Sequence, residues 1–202
     1  MLSENEWPER VKRLPRHGGF PIPYFALVKD GVPDFRVFDP EHYRLAIAKS
    51  LCGICGVHLG RKIFFIGGMS VIMSREFKDL PMHIDCAIFS LNICPFLSDE
   101  ERDFSDRDYP AGYIVQDKYT RVVHPKISLL YMTDGYSIKL TEVDGQVVSV
   151  RIVANKPKEI KFYQAGEVIT KDSAFSQFKE AGVLSQDELD NHDFVLGLLL
   201  RG

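Results

Sequence analysis

Three features of the chain predict an α+β fold. Strand-like runs follow one another across short glycine-bearing turns, stretches of helical spacing carry their own start signals, and two short ligand motifs bracket the centre of the chain. The motifs are Cys52-Gly53-Ile54-Cys55 and His83-Ile84-Asp85-Cys86, separated by twenty-seven residues, and they use three of the four cysteines. A two-residue gap lets a tight turn, or the first turn of a helix, aim both side chains at one point. Four such borderline-soft ligands in two pairs are a zinc pattern, and a fully protein-filled tetrahedron is the structural kind.

Composition sets the frame. At 202 residues the chain suits one ordinary domain or a core with an appended lobe. With 45% hydrophobic and 26% charged residues it reads as globular, which excludes the disordered and membrane classes. Its longest apolar run, residues 195–200, is far short of a bilayer span, and residues 1–6 lack the basic-then-apolar order of a secretory leader. Thiols kept as metal ligands fit a reducing interior, so a cytoplasmic location is expected. A net charge of -3 gives no global attraction to nucleic acid.

The elements follow in order. Residues 1–20 mix charge, proline and glycine and read as an irregular basic lead-in containing Arg10, Lys12, Arg13, Arg16 and His17. Residues 23–28 and 34–38 are strand-like and joined through Lys29-Asp30-Gly31, a hairpin in which glycine supplies positive φ. Asp39-Pro40 reads as an N-cap and first helical position, with Tyr43, Ile47 and Leu51 at helical spacing, and this helix delivers the chain to Cys52. Between the ligand pairs, residues 62–66 and 69–74 flank Gly67-Gly68 and predict a second hairpin. Residues 81–94 predict a helix that ends at Pro95. Knuckle, hairpin and helix in this order make a treble clef.

Residues 98–125 form a charged linker. Beyond it, runs at 127–133, 136–142 and 147–153 are separated by Asp134-Gly135 and Asp144-Gly145 and predict an antiparallel meander. Two terminal helices are expected, one from Asp172 carrying Phe175 and Phe178, the other from Ser185 behind a capping box with Glu188. The expected organisation is therefore a lead-in (1–20), a hairpin, helix and zinc module (21–97), a linker (98–125) and a sheet with terminal helices (126–202) that packs with the zinc module or stands apart.

The centre resembles a family of uncharacterised proteins of bacteria and their phages. The likeness lies in Cys52-Gly-Ile-Cys55-Gly56 with Leu59-Gly60, Ile66-Gly67-Gly68-Met69, His83-Ile-Asp-Cys86-Ala87 and Cys94-Pro95-Phe96-Leu97. In that family a C-x-x-C-G-x-x-L-G knuckle precedes an I-G-P-M-like hairpin, an H-x-x-C-A helix start and a C-P-F/Y-L helix end; Gly68 replaces the proline here and leaves the ligands untouched. The resemblance implies metal binding and brings no reaction with it.

Other signals carry less. Cys94 lies two turns beyond Cys86 and reads as a small apolar filler rather than a ligand. His58 and Asn92 raise a metal-dependent nuclease of the ββα type, but residues 61–66 offer no general-base histidine on the strand that such an enzyme needs. The acids between Asp99 and Asp108 sit in a hydrophilic stretch without the burial that tunes a catalytic carboxyl. His124 and His192 have no nucleophile motif beside them, and neither a phosphate-binding loop nor a dinucleotide fingerprint is present. The function expected is a non-enzymatic, zinc-stabilised module that binds another macromolecule, a protein before a nucleic acid, and no membrane. Its expected contact surface is the hairpin tip at Gly67, Gly68 and Met69, with Arg61, Lys62 and Arg75 beside it.

Overall fold

The computed structural model describes residues 3–69, 71–98, 126–143 and 146–180. The chain opens with a 3-10 turn (Glu4–Glu6), helix α1 (Glu9–Lys12) and the strand pair β1 (Arg16–His17) and β2 (Phe20–Pro21). Strands β3 (Ala26–Lys29) and β4 (Val32–Phe38) are followed by α2 (Pro40–Ala48). Next come β5 (Ile63–Gly67), the single turn α3 (Val71–Ser74), β6 (Glu76–Phe77), α4 (Ile84–Ile93) and α5 (Pro95–Ser98). Strands β7 (Ile127–Thr133), β8 (Tyr136–Val143), β9 (Gln146–Ala154), β10 (Glu159–Gln164) and β11 (Glu167–Ile169) precede α6 (Lys171–Glu180). Helices and antiparallel sheets mix along the chain, as the α+β reading expects.

Local chemistry explains the elements the sequence announces. Asp30 and Gly31 take φ of 52° and 78°, which is the left-handed pair a two-residue hairpin demands between β3 and β4. The Asp39 carboxylate accepts a hydrogen bond from the His42 N–H at 2.8 Å, and Pro40, which has no N–H to orphan, opens α2. Helix α6 buries Ala174, Phe175 and Phe178. The helix expected from Ser185 and the expected 98–125 linker lie outside the described residues, apart from Ser98, which ends α5.

Two expectations about the strands need correction. Residues 62–74 do not form a hairpin: β5 pairs with β7 from Ile63↔Thr133 to Gly67↔Leu129, and residues 71–74 turn helical. The reason is burial. Ile63, Phe64, Phe65 and Ile66 are all buried, and a strand apolar on both faces belongs inside a sheet rather than in a free hairpin. The meander is also broken, because β7 does not pair with β8. Strand order is β11-β10-β7-β5 in one sheet and β6-β9-β8 in the other, so Asp134-Gly135 moves the chain between sheets while β8 and β9 form the expected hairpin. A further hairpin, β10 to β11, turns through Ala165 and Gly166 at φ 48° and 82°.

The two sheets are joined by aromatic packing. Phe65 stacks on Phe77 at 4.5 Å between ring centroids, with Tyr136 at 6.0 Å from Phe65 and Tyr131 at 5.3 Å from Phe77. Such pairs add to the energy of burial alone. A second cluster unites Met69, Ile72, Ile127, Leu129 and Phe162 with α6. The lead-in is likewise structured: Val11 is fully buried in the main core and Trp7 meets Phe89 of α4 edge-on at 5.4 Å.

Candidate metal centre

The knuckle is built by main-chain bonds. Gly56 N–H donates to the Cys52 carbonyl at 2.8 Å, Cys52 N–H to Val57 O at 2.8 Å and Leu59 N–H to Ser50 O at 2.8 Å, so the turn closes a short antiparallel ladder in which Leu51 faces His58. Gly56 holds φ 68°, a left-handed conformation that glycine adopts without strain, and a Cβ there would lie 2.7 Å from the Tyr24 ring. Two passing segments clamp the knuckle. Phe25 N–H donates to Gly53 O at 3.0 Å on one side, and Gly53 N–H donates to Pro81 O at 2.9 Å on the other.

The second clamp delivers the second ligand pair. Residues 80–82 run beside the knuckle, Met82 bridges to Phe64 of β5, and His83 then acts as the N-cap of α4. His83 precedes the helix and Cys86 is its third residue, so both face back toward the turn. One ligand atom from each of Cys52, Cys55, His83 and Cys86 lies within 4.8 Å of the other three, and none of the chain's cysteines is in a disulfide. These four residues could hold a metal ion. Cys94, half-buried at the end of α4, is outside the group.

Hydrogen bonds around the cluster orient it. His83 Nε2 lies 3.1 Å from the His58 carbonyl oxygen; an oxygen of that kind only accepts, so Nε2 carries the proton and donates. Nδ1 is then the free lone pair, and it faces Cys55 Sγ at 3.4 Å. Such an outer bond is how a metal-binding imidazole is fixed in tautomer and angle. The contribution of His58 thus comes from its backbone, while its ring Nδ1 pairs with Leu59 O at 2.7 Å. Nothing in the spelling of the sequence marks a main-chain carbonyl for this task.

The thiols polarise one another. Hydrogen bonds from Cys52 and Cys86, and then from the Val57 N–H, hold the Cys55 thiol far below its ordinary range. Burial above all pushes Cys52 up, to about 11, and Cys86 is pushed up by its bonds to Cys52 and Cys55. Left to themselves three adjacent sulfurs resist carrying three negative charges, and a cation removes that conflict.

The expected contact surface is redistributed. Met69 is only 8% exposed and packs in the second cluster, while Gly67 and Gly68 are half-buried and a Cβ on Gly67 would lie 2.8 Å from Val71. Arg75 is half-buried in a left-handed turn at φ 54°, where its carbonyl accepts from Ala154 N–H at 2.9 Å. Arg61 and Lys62 remain exposed. The hairpin that the nuclease alternative places between the ligand pairs does not form among the described residues, where β5 pairs with β7 and residues 71–74 are helical. No family model, curated protein or solved structure matches the chain. Among the described residues no helix is long and apolar enough to cross a membrane.

Proposed function

We propose that the chain is a non-enzymatic module held by one structural zinc ion on Cys52, Cys55, His83 and Cys86, and that it acts in the cytoplasm, in a bacterial or phage setting, by binding another protein. The convergence of those four ligand atoms within 4.8 Å carries the metal reading. Zinc sits about 2.3 Å from sulfur and about 2.0–2.1 Å from imidazole nitrogen, which sets tetrahedral ligands roughly 3.5–3.8 Å apart. The 3.4 Å between Cys55 Sγ and His83 Nδ1 is close to that spacing. A Cys3His donor set suits zinc and not the oxygen-seeking magnesium or calcium. With every position filled by protein there is no place for a reacting water, so the ion stabilises rather than catalyses.

Two observations favour a protein partner. Val28, Val32 and Phe35 are exposed large apolar residues on β3 and β4, a two-stranded unit that no further strand joins among the described residues. The net charge of -3 argues against a phosphate backbone. Elemental analysis of protein purified reduced and without chelator should give one equivalent of zinc, and less than half an equivalent refutes the metal reading. Val28 pairs with Pro33, so Val28 and Phe35 share one face of this pair while Val32 lies on the other; tagged protein should capture a host protein that Val28→Asp with Phe35→Asp fails to capture at unchanged zinc content and melting, and undiminished capture refutes the surface.

A further inference from the structure

We propose that the exposed lysines and arginine at the corner where the knuckle meets the sheet form a docking surface for an acidic protein segment. The inference rests on the protein-binding reading above and gives a partner its chemistry. Main-chain geometry brings the cations together from three stretches of sequence. In the knuckle's ladder Leu59 N–H donates to Ser50 O at 2.8 Å, so Lys49 and Gly60 stand at its open end and Arg61 and Lys62 follow directly. In the sheet, Ile63↔Thr133 is the terminal pair of β5 with β7, so Lys62 leaves that edge beside Asp134. The stretch leading into β10 lies against the same corner: Lys158 N–H donates to Met132 O at 2.8 Å, and Thr133 Oγ1 donates to Lys156 O at 3.4 Å.

Lys49, Arg61, Lys62, Lys156 and Lys158 are all exposed, and the carboxylate set among them, Asp134, is already engaged. Asn155 Nδ2 donates to it at 3.2 Å and Lys158 Nζ lies 3.5 Å away. Glu159, the next residue along, is taken up by Lys161 at 3.3 Å. Among the described residues Lys49, Arg61, Lys62 and Lys156 have no carboxylate partner. Soluble surfaces ordinarily intersperse the two signs. This chain has more acids than bases, 28 against 25, so a corner of one sign is a local departure that draws an anion to it.

Protein carboxylates fit this corner better than nucleic-acid phosphates. Single strands are held by aromatic platforms on which bases stack, and the exposed large aromatics among the described residues, Phe20 and Phe35, lie on β2 and β4 instead. A duplex spreads dense charge along a long rigid cylinder and meets the acidic chain as a whole. A short acidic segment meets only the corner, because charges beyond a Debye length of about 8 Å are screened. Val57, 50% exposed beside His58 on the knuckle, adds an apolar contact that a peptide side chain can use.

The experiment is fluorescence anisotropy of the full-length, zinc-loaded chain with a labelled glutamate-rich peptide carrying one leucine. An unlabelled copy of the peptide, a single-stranded oligonucleotide and a DNA duplex of equal charge serve as competitors. The parent is expected to bind the peptide, more weakly as salt rises. Arg61→Gln with Lys62→Gln should lower affinity about fivefold, mainly through slower association, at unchanged zinc content and melting. Lys49→Gln with Lys156→Gln should do the same, and decides the matter should the first pair fail to fold. Arg13→Gln with Lys179→Gln removes the same charge from the cap of α1 and from α6, and should stay within about twofold of the parent. An equal loss in that control pair, or a parent that ignores the peptide, overturns the surface. So does an oligonucleotide or duplex that displaces the labelled peptide at lower concentration than the unlabelled peptide does. Each of these leaves the zinc site and capture through Val28 and Phe35 standing, because zinc content and their own double variant report on those.

Discussion

Substituting Gly56 by alanine tests how the knuckle is held in shape. The residue stands at φ 68°, and placing an L side chain in that region costs about 1–2 kcal/mol. The new Cβ would also lie 2.7 Å from one Tyr24 ring carbon and 3.0 Å from another. The ring has little room to retreat, because His42 stacks on Tyr24 with 4.4 Å between ring centroids. Overpacking of this kind adds about 1–3 kcal/mol, so the sum is about 2–5 kcal/mol, a large share of the roughly 5–15 kcal/mol that keeps a domain folded. Backing the turn away instead would stretch the 2.8 Å bond from Gly56 N–H to Cys52 O and displace two of the ligands. The assay is urea unfolding of the parent, Gly56→Ala, Tyr24→Ala and the double variant, at one saturating zinc concentration because bound metal shifts apparent stability. In the Tyr24→Ala background Gly56→Ala should cost only its backbone strain, leaving a coupling of about 1–3 kcal/mol. A Gly56→Ala cost that is the same in both backgrounds refutes the packing argument.

Three further outcomes are expected. Cys55→Ser should lose zinc and unfold the region around the knuckle, since a structural zinc supplies on the order of 10 kcal/mol, whereas Cys94→Ser should keep a full equivalent; equal melting with zinc retained in both would show the ligand assignment to be mistaken. Met69→Asp should fail to fold or lose more than about 4 kcal/mol in thermal or denaturant unfolding, through lost apolar burial and an unpaired carboxylate, while Met69→Leu should cost less than about 1.5 kcal/mol; a stable, well-folded Met69→Asp would mean that the second cluster does not enclose this side chain. Arg36 hydrogen bonds hold the Asp34 carboxyl below its usual value, with both side chains 22% exposed. A depressed pKa stabilises the fold above the unfolded value of about 3.9 and stops doing so as pH falls through the folded value. Asp34→Asn should therefore cost up to about 1 kcal/mol at pH 7, with the gap to the parent closing in acid; a gap that widens in acid contradicts the sign.

The parts legible in the sequence are those decided by a few neighbouring residues. The Asp39-Pro40 start, the Asp30-Gly31 turn and both ligand motifs place their own side chains and need no distant partner. Strand pairing is different in kind. The run from Ile63 to Ile66 is apolar at every position, which signals a strand covered on both faces, but its partner lies some sixty residues later and no local feature names it. Val71 and Ile72 are too short an apolar stretch to separate helix from strand by periodicity. Asp134-Gly135 has the composition of a hairpin turn, yet β7 is buried almost throughout and is better served by β5 and β10 than by β8. The turn at Ala165-Gly166, an X-Gly pair between strand-like residues, was open to the same reasoning that found Asp30-Gly31. The lead-in looks irregular from its prolines and charges, and only contact with α4 reveals why Trp7 and Val11 are there.

Strand β5 lies between the two ligand pairs and yet belongs to a sheet completed by residues 127–169. The segment between the ligand pairs is therefore not a self-sufficient finger. A truncated chain ending after α5 could still gather its four ligands, but it would leave Phe64, Phe65 and Ile66 along an unpaired edge, a ready template for sticking to another copy. Such a fragment should load metal and self-associate. During synthesis the same edge stays uncovered until β7 emerges, so the chain is most exposed to aggregation in that interval.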